Sequence, residues 1–247
     1  MASQKIIPTK NLLLDALSDK SRLAFLGQCE LVHFNLAQVI YEAGEPITYV
    51  YFPLQSIVSL VNPVDKNAGM EVALIGNEGM LGITLMLESK LAPFRAIVQG
   101  AGSTLRIEAK QFLEELKKCP ELELRLKRYI CVSFSQLVQM TVCNRFHVVE
   151  ERLARLLLMI YDRKESVTFK ITQQLLAQML GVRRVGVSKA ATSLKQKALI
   201  TYNRGYMDIH DLAGLEASSC ICYQTDKQTY NAMLEMYDDT APLQQSH

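Results

Sequence analysis

Between Thr172 and Leu194 the chain reads "TQQLLAQMLGVRRVGVSKAATSL", two helical apolar patterns interrupted by one glycine, and no other stretch constrains the fold as tightly. Thr172 suits the N-cap of a helix whose inward face is Leu175, Leu176, Met179 and Leu180. Gly181 follows the last apolar residue, where a left-handed backbone is cheap only for glycine. Helical spacing resumes through Val182, Val187, Ala191 and Leu194. Ala177 is small where a second helix would cross closely. With Gly181 four residues on and Val187 six beyond that, the spacing is that of a helix-turn-helix.

The outward face of the second helix carries Arg183, Arg184, Ser188 and Lys189, the positions from which this motif reads a DNA groove. Arg and Lys suit guanine edges, while hydroxyls and helix N-termini suit phosphates. Downstream, "ALITYNRGYMDIHD" reads as two short strands around an Asn203-Arg204-Gly205 turn, and upstream "SVTFKIT" reads as a third. A strand, two helices and a hairpin make a winged helix, with Arg204 at the wing tip facing a phosphate. The candidate DNA-binding residues are therefore Thr172, Gln173, Arg183, Arg184, Ser188, Lys189 and Arg204. A basic helix face alone would as readily be solvated surface. Here charge distribution argues otherwise. Net charge is only +2, yet Ser166–Met207 holds Lys170, Arg183, Arg184, Lys189, Lys195, Lys197 and Arg204 with no Asp or Glu. One local field of a single sign on a nearly neutral chain points to a polyanionic partner.

Upstream the character is different. Residues 12–28 have helical spacing, with Ser18 or Asp19 capping between two short helices. From Glu30 to about Ile107 short apolar or alternating runs ("LVHF", "QVIYEAG", "YVYFPLQSIVSLV", "EVALIG", "AIVQGAG", "TLRI") are punctuated by glycines and prolines, as in a β-roll or jelly roll. Residues 108–118 read as a helix ending before Pro120. A longer helix follows, about 27 residues and roughly 40 Å at 1.5 Å per residue. Its Leu126, Ile130, Ser133, Leu137, Met140, Asn144 and His147 follow the four-three spacing of a two-stranded coiled coil. Leu126, Ile130, Leu137, Met140 and Asn144 are the expected dimer contacts. Packing on its own β-domain is the other use of such a face, and the two are compatible on different sides of one helix. "EERLARLLLMIYDR" then forms a further amphipathic helix.

The expected fold class is α+β: an N-terminal cupin-like β-roll, a long dimerisation helix and a C-terminal winged helix-turn-helix. The expected divisions are residues 1–120 for the N-terminal helices and β-roll, 121–149 for the long helix, 150–212 for the winged helix and 213–247 for a C-terminal extension. At 247 residues, 49% hydrophobic and 21% charged, the chain reads as globular. Apolar runs such as "RLLLMIY" are too short to span a bilayer, and the first twenty residues lack a signal-peptide core, so no membrane partner and a cytoplasmic location are expected. Six scattered cysteines suggest free thiols. Cys119, Cys131 and Cys143 are expected as small buried apolar residues. Cys220 and Cys222 are a weak metal or redox pair, since no nearby His or Cys completes a four-ligand zinc set. The histidines are dispersed, with only His33 in the β region, which disfavours a metal-dependent cupin enzyme.

On the order of these segments, and on "ERLARLLL" at 151–158 and "FKITQQLLAQMLGV" at 169–182, the chain resembles the Crp/Fnr family of bacterial transcription regulators over roughly residues 12–212. The resemblance implies a homodimer bound to a near-palindromic duplex, RNA polymerase as a further partner, and a signal sensed in the β-roll or N-terminal region. It also marks departures. The family's recognition helix commonly carries Arg-Glu with a second Arg four residues after the Glu; these places hold Arg184, Val185 and Lys189. Val185 cannot accept a hydrogen bond from a base, so the usual half-site is not implied, and Arg183 is the compensating candidate. The effector-pocket candidates are Glu78 for a ribose, Arg95 for a phosphate, and Leu137 and Val138 where the long helix would meet an adenine. Arg95 lacks the Ser or Thr that follows it in the cyclic-nucleotide cassette, which disfavours a cyclic nucleotide. The first 28 residues hold no iron–sulfur cysteine cluster, and His33 stands alone as a haem ligand candidate. The tail from Asp211 contains a helical "QTYNAMLEMY", and the tail is expected to pack on the DNA-binding domain. A cyclic-nucleotide-binding module acting through a protein partner is the alternative.

Overall fold

The structure is a computed structural model describing residues 10–63 and 69–234. The first nine residues, residues 64–68 and the end of the extension from 235 onward, including the last part of "QTYNAMLEMY", lie outside the described residues. Helices α1 (Leu12–Asp15) and α2 (Asp19–Leu26) lead into β1 (Glu30–Phe34), β2 (Val39–Tyr41), β3 (Tyr49–Pro53), β4 (Ile57–Pro63), β5 (Gly69–Ile75), β6 (Arg95–Gly100) and β7 (Gly102–Glu108). These form two antiparallel sheets, ordered β1-β7-β3 and β2-β6-β4-β5. Alternation in the sequence sets what faces inward: in β6, Ala96 and Val98 are buried while Arg95, Ile97 and Gln99 are only half-buried. Val50, Phe52, Val58, Leu105 and Ile107 complete the interior, and Phe25 of α2 meets Phe52 edge-on at 5.5 Å. Asn11 is buried because its polar atoms are all used: it donates to Pro53 O (3.0 Å) and Gly79 O (2.9 Å) and accepts from Leu13 N–H (3.2 Å), tying α1 to the roll.

Helix α3 (Ala109–Lys118) and the long α4 (Pro120–Phe146) follow, with Pro120 at the first position of α4, where its missing N–H costs nothing. Here the expected dimer seam needs correction. Leu122, Leu126, Tyr129 and Val132 are buried against the helix's own β-roll, so Leu126 is a core residue and not a dimer contact. Ile130 and Leu137, with one edge of Phe134, line an open pocket between the same roll and α4. Asn144 accepts a hydrogen bond from Arg152 Nη2 at 2.5 Å. The outward apolar stripe is Phe134, Val138, Val142 and Phe146, spaced four apart and 69%, 51%, 41% and 73% exposed. A helix of about 27 residues has more than one face, and the β-roll takes the one that the coiled-coil spacing selects.

Helix α4 ends at His147–Val148, and the chain continues as α5 (Val149–Lys164), β8 (Thr168–Lys170), α6 (Gln173–Leu180), α7 (Arg184–Gln196), β9 (Ile200–Asn203) and β10 (Tyr206–Ile209). The strands pair in the order β8-β10-β9, giving the winged helix its sheet. Leu153, Leu157, Leu176, Val187, Leu194 and Met207 fill a second core, which also takes Ile57 and Leu74 from the β-roll. Buried Arg163 joins the two units: it pairs with Glu78 at 2.7 Å and donates to Leu74 O at 3.1 Å.

The extension forms α8 (Leu212–Ala217) and α9 (Cys222–Leu234). Its expected docking on the DNA-binding domain holds for α8, whose Leu215 enters the second core. It does not describe α9, which lies chiefly along α4, with Leu234 reaching the β-roll core and Tyr230 donating to Glu78 O at 3.0 Å. The apolar positions of α9 point both ways, since Tyr223 stays with the second core.

Candidate nucleic-acid interface

The helix-turn-helix is built as local chemistry requires. Thr172 Oγ1 accepts the Leu175 N–H at 3.1 Å, satisfying one of the free donors of the first turn of α6. Gly181 has φ +62° and closes the helix, with its own N–H on Gln178 O and the Val182 N–H on Ala177 O. Nothing crowds its α-carbon, so glycine is required by backbone conformation and not by space. Helix α7 begins at Arg184, leaving Arg183 as its N-cap instead of its first turn. Val187, Ala190, Ala191 and Leu194 face inward, while Arg183, Arg184, Val185 and Lys189 face out.

Ser188 is only half-exposed, because its hydroxyl donates to Gln173 Oε1 at 2.9 Å. Arg184 Nε donates to the same oxygen at 3.3 Å. Gln173 thereby links the start of α6 to the recognition face of α7 and holds the Arg184 guanidinium before any ligand arrives. The wing is a two-residue turn with Arg204 at φ +48° and Gly205 at φ +83°, the left-handed pair that matches the twist of a hairpin. Thr172, Gln173, Arg184 and Arg204 line one concave cleft between motif and wing. Gln174 and Tyr202 line it as well, and the sequence reading missed them. Tyr202 was visible only as a strand residue; its hydroxyl donates to Ile171 O at 3.1 Å, which fixes the wing beside α6. Lys197 is drawn into an ion pair with Glu150 at 2.6 Å on the flank.

The effector-pocket candidates do not come together. Glu78 is committed to Arg163, and Arg95 pairs on the surface with Glu42 at 3.2 Å. Val138 is on the exposed stripe. Leu137 alone lines the cavity of about 220 Å³ between the roll and α4, with Tyr41, Ile47, Leu81, Phe94 and Ile130 among its walls. No charged side chain is among the lining residues, so the cavity suits an apolar guest and not a phosphate.

One expectation is overturned. The fold carries Cys143 and His147 to Cys220 and Cys222, so the ligand set that the sequence did not place beside that pair is supplied from α4. Of the three α4-side cysteines, Cys119 is half-buried and Cys131 exposed; only Cys143 is buried, and among thiols instead of core hydrocarbons.

Comparison with known proteins agrees with this architecture. Residues 151–218 match the Crp-like helix-turn-helix domain. A global nitrogen regulator of Nostoc sp. strain PCC 7120 is 23% identical over 186 residues, covering 72% of this chain and 83% of the relative. Among solved structures, FixK2 of Bradyrhizobium japonicum superposes with a TM-score of 0.67 at 13% identity, covering 78% of this chain and 98% of the other. The c-di-GMP responsive global regulator CLP of Xanthomonas campestris superposes at 0.64, also at 13% identity, with coverage of 78% and 100%. At such identities the structural likeness establishes the fold. Among the described residues, no helix is long and apolar enough to cross a membrane.

Proposed function

We propose, from the premise that this chain is a Crp/Fnr-like transcriptional regulator with a helix-turn-helix DNA-binding domain, that it acts as a homodimer on a near-palindromic operator. Arg184 and Lys189 read base edges in the major groove, Arg183 adds a contact beside Val185, and Thr172, Ser188 and Arg204 hold phosphates. The observation that carries this reading is the Gln173 bridge, which fixes Arg184 at the mouth of the cleft that Arg204 closes. The exposed Phe134–Phe146 stripe supports the dimer, because contiguous apolar side chains left uncovered along one helix mark a surface for another chain, here a second copy. Val185, 61% exposed, offers a methyl contact where a carboxylate would read a base amino group, so the half-site differs from one read by Arg-Glu. RNA polymerase is the expected further partner once the operator is bound.

The signal, on this reading, is a small apolar molecule entering the cavity between the β-roll and α4. The uncharged lining supports it over a cyclic nucleotide. In a thermal-shift assay cyclic AMP and cyclic GMP should leave the melting temperature unchanged, and a clear rise with either would refute this part.

Selection of genomic fragments by the purified protein tests the operator. A specific duplex should emerge, with retention falling steeply as salt rises. Arg184→Ala with Lys189→Ala should abolish that selection while the protein stays dimeric. If the double variant still selects the same duplex, the groove assignment is wrong. Capture of a protein partner without duplex retention would favour a module that signals through protein contacts.

A further inference from the structure

The buried cluster at the far end of α4 has no part in the DNA-binding reading, and its ligand geometry can be weighed on its own. Cys143 and His147 are four residues apart, one helical turn, so both lie on the same side of the last turn of α4 and its cap. Cys220 precedes α9, and Cys222 is its first residue. Cys143, Cys220 and Cys222 are buried, and His147 is half-buried. The three sulfurs and one imidazole nitrogen all lie within 4.8 Å of one another. Cys143 Sγ and Cys220 Sγ are 3.6 Å apart, and Cys222 Sγ and His147 Nδ1 are 3.4 Å apart. Zinc bonds of about 2.3 Å to sulfur and 2.0–2.1 Å to nitrogen require tetrahedral edges of about 3.8 Å and 3.6 Å. Two of the six edges thus lie within about 0.2 Å of those of a tetrahedral zinc site, and the 4.8 Å bound means that no edge needs to close by more than about an ångström.

We propose that Cys143, His147, Cys220 and Cys222 form a structural zinc site that clamps the C-terminal extension to the hinge between the long helix and the DNA-binding domain. Three soft thiolates and an imidazole select zinc over magnesium or calcium, and a closed set of four leaves no open position for catalysis. An iron–sulfur cluster does not fit, because its inorganic sulfides separate the cysteine ligands well beyond the spacing seen here. Each cysteine entering as a thiol releases its proton to solvent on binding, and three thiolates around Zn²⁺ leave a net charge of −1. The surroundings suit that charge. Buried Arg155 lies within electrostatic reach of both Cys143 and Cys220, and Arg152 does so from the same helix. Gln139 Nε2, a turn before Cys143, donates to Cys222 Sγ at 2.9 Å, as an outer-shell donor orients a ligating thiolate.

The position gives the ion a structural task. His147 caps α4, and the chain turns there into α5, which carries the winged helix. Cys220 and Cys222 hold the start of α9, which runs back along α4. Zinc would fix the angle at which α4 hands over to α5.

Metal content of the full-length protein, purified without chelators, tests the site. About one zinc per chain is expected, without acid-labile sulfide. Cobalt(II) exchanged into the wild-type protein should give the intense visible bands of tetrahedral coordination and strong thiolate charge-transfer absorption. Cys220→Ser and Cys222→Ser should each lose the metal, while Cys131→Ser, on the exposed side of α4, keeps it. The cobalt spectrum counts thiolates in the wild type, so the test stands even if a variant folds poorly. Wild-type protein that takes up neither zinc nor cobalt, metal retained by the Cys220 and Cys222 variants, iron accompanied by sulfide, or a Cys143–Cys220 disulfide in the freshly purified protein would each overturn the proposal.

Discussion

Phe134 and Leu126 sit eight residues apart on one helix, and truncating each to alanine should have opposite consequences. Leu126 is fully buried in the β-roll core, so Leu126→Ala should cost the protomer about 2–5 kcal/mol of stability. Phe134 is 69% exposed in the single chain, so covering it in a dimer recovers about two thirds of the roughly 1.5–3 kcal/mol of a full burial. That is about 1–2 kcal/mol per copy. Because a twofold interface uses each contact twice, Phe134→Ala should weaken association by roughly 2–4 kcal/mol, about 30- to 1000-fold in Kd. Sedimentation equilibrium over a concentration series measures the association. Urea unfolding, with both proteins at a concentration where they are monomeric, measures the protomer. Phe134→Ala should leave the urea midpoint within the scatter of a surface substitution, roughly 0.5 kcal/mol. If Phe134→Ala left the dimer constant unchanged while Leu126→Ala weakened it with no loss of protomer stability, the two faces of α4 would have been assigned the wrong way round.

Further outcomes can be checked independently. Gly181→Ala places a side chain in open space but at φ +62°, so it should destabilise by about 1 kcal/mol in urea, and Gly181→Asn by less; a neutral alanine would show that the turn does not need that backbone. Gln173→Ala removes the acceptor that holds Arg184 and Ser188, and should weaken operator binding several-fold while non-specific DNA binding stays close to wild type. Burial pushes the Glu71 carboxyl from 4.5 up to about 8, against the opposing pull of Ser59 and Arg163. Its folded-state value lies above the unfolded one, so its contribution is complete below about pH 4.5 and is lost as pH rises through about 8. Glu71→Gln should flatten the fall in urea midpoint between pH 5 and about 8.5, and an unchanged pH profile would place the buried charge elsewhere.

The motif that binds DNA was legible because its determinants are local. The Thr172 cap, the Gly181 break and the outward arginines each depend on neighbours within a turn or two, and the structure puts them on a helix-turn-helix with a wing. Strand positions in the β-roll were legible for the same reason, through alternation and punctuation. Helix α4 was harder. Its length follows from the run between Pro120 and His147, but its apolar residues occupy several faces, and spacing does not say which face a β-roll covers. The burial of Leu126 and the exposure of Phe134, Val138, Val142 and Phe146 both follow from that ambiguity. The cyclic-nucleotide candidates differ in kind: Glu78 and Arg95 were brought together by motif likeness, and the structure pairs Glu78 with Arg163 and Arg95 with Glu42.

By itself the sequence determined the order of elements, the turn chemistry and the acid-free basic segment that favours a polyanion. All of these depend on backbone propensity, side-chain periodicity or net charge, which act over a few residues or simply add along the chain. Only the tertiary structure decided which side of α4 is core, that Gln173 steadies Arg184 from across the motif, and that Cys143 meets Cys220 from 77 positions away. Contacts of that kind depend on how helices pack and cross in three dimensions, and a one-dimensional pattern carries no record of the crossing.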